Sequence, residues 1–226
     1  MKYISCDVLD AVAAEDLNRY AELKGFRNNY PLDVKDFAYT VFGLDLLEVN
    51  MASMNFDGIE NGSEILGGLY PEGHSFMGHE KVIIVDSHIN NAGRKRFTIA
   101  HEAGHYSLHV MGVDAGSAVY NRTTRPLLCR ADNSRKDPLE WQADYYASAI
   151  LMPETAVKSV ISRERKFGTT ACRDAICRLF GVSKIAAKIR LQRFGITVSD
   201  EPFKSRVNCG ERQFAAMQRQ YSYGYS

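Results

Sequence analysis

Apolar residues recur every three to four positions over residues 7–24 (Val8, Leu9, Val12, Leu17, Tyr20, Ala21, Leu23), the period of an amphipathic helix, with Gly25 as its stop. Pro31-Leu32-Asp33 reads as a turn and N-cap for a second helix, whose inward face is Val34, Phe37, Ala38, Val41 and Phe42 and whose end is Gly43. The period then changes. Residues 44–51 read as a strand, 55–63 as a Gly/Asn-rich loop, 64–70 as a second strand and Pro71-Glu72-Gly73-His74 as a turn. The clearest strand is 81–86, KVIIVD, a short β-branched run between polar residues. Helical spacing returns over 91–109. It returns again, after an unpatterned stretch 112–136, where Asp137-Pro138 opens a helix with Pro in the first turn that runs to Met152, and 154–166 is helical beyond Pro153. Two last helices, 170–180 and 183–194, flank Gly181-Val182-Ser183, in which Gly ends one helix and Ser caps the next, a helix-turn-helix outline. Residues 209–226, rich in Gln and Tyr, carry little pattern and read as a frayed tail.

At 226 residues, 45% hydrophobic and 24% charged, the chain can bury one sizeable core or one core with a small satellite. No stretch approaches the roughly 18 consecutive apolar residues that cross a bilayer. The start MKYISCDVLDAV lacks the basic and apolar regions of a signal peptide, so the expectation is a soluble, cytoplasmic protein without a membrane partner. Five cysteines without a C-x-x-C pair point to a reducing compartment, and Cys172 and Cys177, five apart, read as buried helix positions rather than metal ligands. The net charge of +1 hides a split: residues 1–66 hold five Lys/Arg against twelve Asp/Glu (−7), and residues 163–194 hold nine against two (+7). Either the two ends attract each other, or the basic helices face an acidic partner such as DNA. Ile185, Ala186, Ile189 and Leu191 favour burial of the last helix, and hence the first reading.

The chemistry concentrates in His101-Glu102-Ala103-Gly104-His105. Residues four apart share a helix face, so both imidazoles reach one ion with Glu102 beside them, the H-E-x-x-H arrangement of a zinc hydrolase. A catalytic zinc takes three protein ligands and keeps one position open. The best third ligand is Glu140, which opens a helix whose apolar face (Ala143, Ala147, Ile150, Leu151) can pack on the motif helix. Asp144, one turn on, would accept the free N–H of a ligating His and fix its tautomer. Glu102 is left as general base, taking a proton from the attacking water and passing it to the leaving amine. His109 lies one further turn along the ligand face at the wrong spacing for the H-x-x-G-x-x-H third ligand, and reads as packing or polar cleft lining. His74, His79 and His88 read as surface residues, while Tyr70, His74, Tyr106 and Tyr120 stay open as donors to the oxyanion.

Three segments, RKRFTIAHEAGHYSLH, EWQADYYASAILMP and RLFGVSKIAAKIRL, together resemble the ImmA/IrrE metallopeptidases over residues 81–194. The resemblance implies an α+β fold with a zincin-like core, a small mostly antiparallel sheet packed on helices that include the HExxH helix, and a C-terminal helix-turn-helix-like subdomain. It implies His101, His105 and Glu140 as ligands of Zn2+, with Mn2+ as the alternative ion, and Glu102 as catalytic base. Known members cleave helix-turn-helix repressors, so the implied activity is metalloendopeptidase and the implied partner such a repressor. The expected division is a metallopeptidase domain over 1–166, the helical subdomain over 167–200 and a tail over 201–226. The gap between His105 and Glu140 is longer than in the family pattern by a basic stretch, 113–136, and the region after Phe194 has no counterpart. Two other readings of the same residues are a DNA-binding transcriptional regulator with a structural or vestigial metal site, and the metallopeptidase half of a toxin–antitoxin pair.

Overall fold

The computed structural model describes residues 4–25, 29–54, 56, 65–111, 127–130 (backbone) and 138–198. The β-branched run becomes one of the two interior strands of a sheet that, among the described residues, has four strands ordered β1-β3-β2-β4. The strands are β1 (Asp45–Val49), β2 (Ile65–Phe76), β3 (His79–Asp86) and β4 (Leu127–Arg130). Val82, Ile83, Ile84 and Val85 are all fully buried, because β3 has packed side chains on both faces, which is why its sequence is continuously apolar rather than alternating. β1 runs parallel to β3, whereas β2 is antiparallel to both β3 and β4, so the sheet is mixed and mostly antiparallel.

Two expectations fail here. Pro71-Glu72-Gly73-His74 is not a turn but part of β2, at a shift in the β2–β3 register between Tyr70 and Ser75. An interrupted ladder tolerates a proline, which has no N–H to donate. The chain reverses instead at Met77 and Gly78, both at positive φ, and β3 therefore starts at His79. Within the unpatterned stretch, Leu-Leu-Cys-Arg forms β4 on the outer side of β2, a segment too short to show a period. The expected loop over 55–63, apart from Phe56, and the tail over 201–226 lie outside the described residues.

The helices follow their caps. They are α1 (Cys6–Lys24), α2 (Val34–Phe42), α3 (Ala92–His105), α4 (Pro138–Leu151), α5 (Glu154–Glu164), α6 (Thr169–Phe180) and α7 (Lys184–Arg193). Asp33 accepts from the N–H groups of Lys35 and Asp36 to open α2, Asn91 accepts from Arg94 to open α3, and Ser183 accepts from Ala186 to open α7. The motif helix does not continue regularly to His109. Tyr106–Val110 is a π-helical turn in which the Met111 N–H donates to the Tyr106 carbonyl, and Tyr106, Ser107, Leu108 and His109 are all buried.

One apolar cluster joins α1–α4 to the sheet, through Leu9, Phe37, Leu69, Ile83, Ala103, Tyr146 and Ile150. A second holds Met152, Val157, Val160, Cys172, Ile176, Phe180, Leu191 and Val198 around α5–α7, and a third holds Met51, Phe56, Ile65, Tyr70, Phe76, Val82 and Ile84. The charge split resolves between the first two. Arg190 is buried and donates to Asp10 at 2.7 Å and to the Met152 carbonyl at 3.0 Å, while Arg193 pairs with Asp7 and with the Tyr145 hydroxyl. On the other side of the seam, Arg96 of α3 donates to the carbonyls of Phe180, Gly181 and Leu32, which holds the α6–α7 turn against the motif helix. Among the described residues no helix is long and apolar enough to cross a membrane.

Candidate metal centre

The motif histidines and Glu140 meet because α3 and α4 cross at unusually close range. A Cβ on Gly104 would stand 2.9 Å from the Tyr146 ring and 3.2 Å from the Ala143 carbonyl, so only glycine lets α4 lie against this face of α3. On the sheet side, a Cβ on Gly67 of β2 would meet Thr98 at 2.5 Å and a Glu102 oxygen at 3.3 Å. Two glycines on neighbouring elements thus clear the space in which the motif sits.

Within that space His101 Nε2 lies 3.2 Å from one Glu140 oxygen, His105 Nε2 lies 3.3 Å from the other, and the two Nε2 atoms are 3.0 Å apart. A zinc-sized ion bound tetrahedrally at about 2.0–2.1 Å from each donor spaces its donors by about 3.3 Å. The three side chains are therefore already arranged as the base of such a site, and both histidines are buried. Each ligand candidate has a partner on its other ring nitrogen: His101 Nδ1 is 2.9 Å from Asp144 Oδ1, and His105 Nδ1 is 3.0 Å from His109 Nδ1. His109 sits behind His105, its Nε2 3.0 Å from Gln142 Oε1. Glu102 is fully buried, and neither carboxylate oxygen has a hydrogen-bond partner among the described residues. Such an orphaned carboxylate beside a donor triad fits a site built to receive a cation and a polar reactant.

The charges follow from this packing. Burial alone would depress the His101 imidazole, but its bonds to Asp144 and Glu140 outweigh burial and raise it to about 10. Burial likewise opposes the Glu140 charge, yet hydrogen bonds from both histidines hold its carboxyl well below the usual range. Burial, reinforced by the Glu140 charge and opposed by His101, pushes Glu102 up to about 8. Burial and the neighbouring His105 bring His109 down to about 4, so that ring is neutral.

Of the oxyanion-donor candidates, Tyr106 donates its hydroxyl to Glu72 and Tyr70 packs on Phe76 in the third cluster. His74 is half-buried in β2, and Tyr120 lies outside the described residues. Sequence reasoning did not find Gln142. The i,i+4 spacing puts His109 on the ligand face beside His105, but nothing in the sequence points from it to Gln142.

The decisive comparison is with protein families: residues 66–192 match the family model described as Peptidase_M78, IrrE N-terminal-like domain. The chain belongs to this family. The M78 match runs from the second residue of β2 through β3, β4 and α3–α6 to the last turn of α7, and so takes in His101, Glu102, His105 and Glu140 on a zincin-like core. Among solved structures, a Mycobacterium tuberculosis transcriptional regulator is similar at 18% identity with a TM-score of 0.49, over 84% of this chain and 47% of that one. The chain thus spans about half the length of that regulator. Comparison with curated proteins returned no match.

Two predictions follow from the M78 domain's geometry. Gly104→Ala forces α4 off α3, which costs about 1–3 kcal/mol by overpacking, more than the roughly 1 kcal/mol gained in helix propensity. Chemical denaturation should therefore show a net loss of stability, and metal affinity should fall with it because Glu140 rides on α4. The second concerns pH. A cation can take His101 Nε2 only by displacing the proton that His101 holds up to about pH 10. Affinity should therefore rise with pH between pH 7 and 9, with release of at least about one proton per ion. Calorimetry in two buffers of different ionisation enthalpy reads that proton directly; flat affinity across this window would contradict the assignment.

Proposed function

We propose that this chain is a metal-dependent endopeptidase, with zinc held by His101, His105 and Glu140, and that its substrate is a helix-turn-helix transcriptional repressor. The observation that carries the reading is the Glu102 carboxylate, buried and, among the described residues, without a hydrogen-bond partner on either oxygen, beside three donors spaced for one ion. Zinc there supplies a Lewis acid for the peptide carbonyl and makes water acidic enough to lose a proton near neutral pH. Everything else is the work of the chain. Glu102 accepts the water's proton and delivers it to the departing nitrogen, a role suited to a carboxyl whose burial lifts its proton affinity towards neutrality. Asp144 holds the His101 ring through Nδ1, and α3 and β2 wall off bulk water, with Gly67 leaving room above Glu102. An extended substrate segment would pair with an edge of the sheet beside this helix. The outer side of β2 is taken by β4, so a strand-adding substrate meets β4 first.

The substrate class rests on the family resemblance. DNA binding by α6–α7 is the weaker reading, because two of the cations there are already engaged, the buried Arg190 by Asp10 and Arg193 by Asp7 and Tyr145. The test is incubation of the zinc-loaded protein with a panel of purified helix-turn-helix repressors from the same genome, in parallel with duplex DNA binding. Cleavage that stops on chelation supports the proposal. Salt-dependent duplex binding that survives chelation, with no repressor cleaved, overturns it in favour of a DNA-binding regulator.

A further inference from the structure

We infer that His109 and Gln142 are positioning residues for the metal ligand His105, forming a neutral, proton-ordered chain that fixes the tautomer and orientation of its ring. This rests on the reading of His101, His105 and Glu140 as a metal site. The two motif histidines share a helix face but not the same kind of support. His101 Nδ1 lies 2.9 Å from the Asp144 carboxylate, whereas His105 Nδ1 lies 3.0 Å from another imidazole, His109 Nδ1. A ring that gives Nε2 to a cation carries its remaining proton on Nδ1, so His105 must donate there and His109 Nδ1 must accept. His109 then carries its own proton on Nε2, which lies 3.0 Å from Gln142 Oε1, an acceptor. With Gln142 oriented in this way, a single arrangement of protons satisfies both contacts once a cation occupies the triad.

The local backbone serves this chain. His109 is buried in the π-helical turn Tyr106–Val110, and Gln142 is buried on α4, two residues beyond Glu140. One helix thus supplies Glu140, Gln142 and Asp144 to the three histidines at positions 101, 105 and 109 of the other segment. A neutral acceptor behind His105 also has an electrostatic reason. Glu102, Glu140 and Asp144 already place three carboxyl groups in or against the site. A fourth, in the buried position of His109, would add an unpaired charge and disfavour ionisation of Glu102. An imidazole backed by an amide delivers the lone pair without the charge.

The test is zinc affinity, measured by competition with a chromophoric chelator, on wild type, His109→Leu and His109→Asn. Asn Oδ1 can stand where His Nδ1 stands and keep the acceptor for His105, while Leu removes it. His109→Leu should bind zinc about 10–100-fold more weakly, and His109→Asn should recover most of that loss. A role in packing alone predicts the reverse, with Leu binding zinc as wild type does, and that result overturns the inference. Long-range 1H–15N spectra of zinc-loaded wild type give an answer that needs no variant to fold. The expected pattern is protons on His105 Nδ1 and His109 Nε2; a proton on His109 Nδ1 overturns it. Wild type that takes up no zinc overturns the metal-site reading and this inference with it, whereas normal uptake with an indifferent His109→Leu removes this inference alone.

Discussion

Glu102→Gln should retain zinc and lose peptide cleavage. Glutamine keeps the length and shape of the side chain in a fully buried space, so the walls formed by Gly67, Thr98 and the α3 backbone need not move. It removes the carboxylate proposed to take a proton from water and return it to the leaving nitrogen, a role worth about 10²–10⁴-fold in rate. Metal uptake should persist, because the three proposed donors lie on other residues. The buried amide also lacks the acceptor it would want, which costs about 1–3 kcal/mol against the relief of a desolvated carboxylate. The variant should therefore fold, as circular dichroism can check. Turnover within tenfold of wild type would remove Glu102 from the mechanism and leave its orphaned carboxylate unexplained.

Glu140→Ala should release the metal. Glu140 is the only carboxylate of the triad, and it reaches both imidazoles from the first turn of α4. Groups that merely orient a ligand are worth about 10–100-fold in metal affinity, so loss of a donor should exceed that range. Zinc content after dialysis reads the outcome, and unchanged content would exclude Glu140. The same change removes one of the two hydrogen bonds that hold the His101 proton. Less proton release per ion bound should then accompany any residual uptake, linking this variant to the pH dependence predicted above. Asp144→Asn is the useful contrast, since it leaves the triad intact and should fall within the smaller range.

These effects trace to residues that differ in how openly the sequence displays them. His101, Glu102 and His105 are legible because helix geometry alone puts positions i, i+1 and i+4 together, and Glu140 because it starts an apolar helix that needs a partner face. The attraction between the acidic start and the basic end was legible as a charge count, and appears as the Asp10–Arg190 and Asp7–Arg193 pairs. What was hidden depends on contacts between distant segments. Gly104 looks like a weak helix residue until the Tyr146 ring is placed against it. The π-helical turn leaves no mark in a sequence whose apolar spacing fits an ordinary helix. β4 is four residues without a period, and a proline at position 71 looked like a turn because the register shift that tolerates it exists only once β2 pairs with β3. Gln142 belongs with these, since only the crossing of α3 and α4 brings it to His109.

The central claim is that metal held by this triad, with Glu102 as base, hydrolyses a peptide bond. Its most direct measurement is mass spectrometry of new protein termini after zinc-loaded wild type and zinc-loaded Glu102→Gln are each incubated with the repressor panel. The expected result is a new terminus within a repressor for wild type, lost on chelation, restored by added zinc, and absent for Glu102→Gln. Cleavage that is indifferent to chelation, or no new terminus in any repressor from a wild type shown to hold zinc, would contradict it.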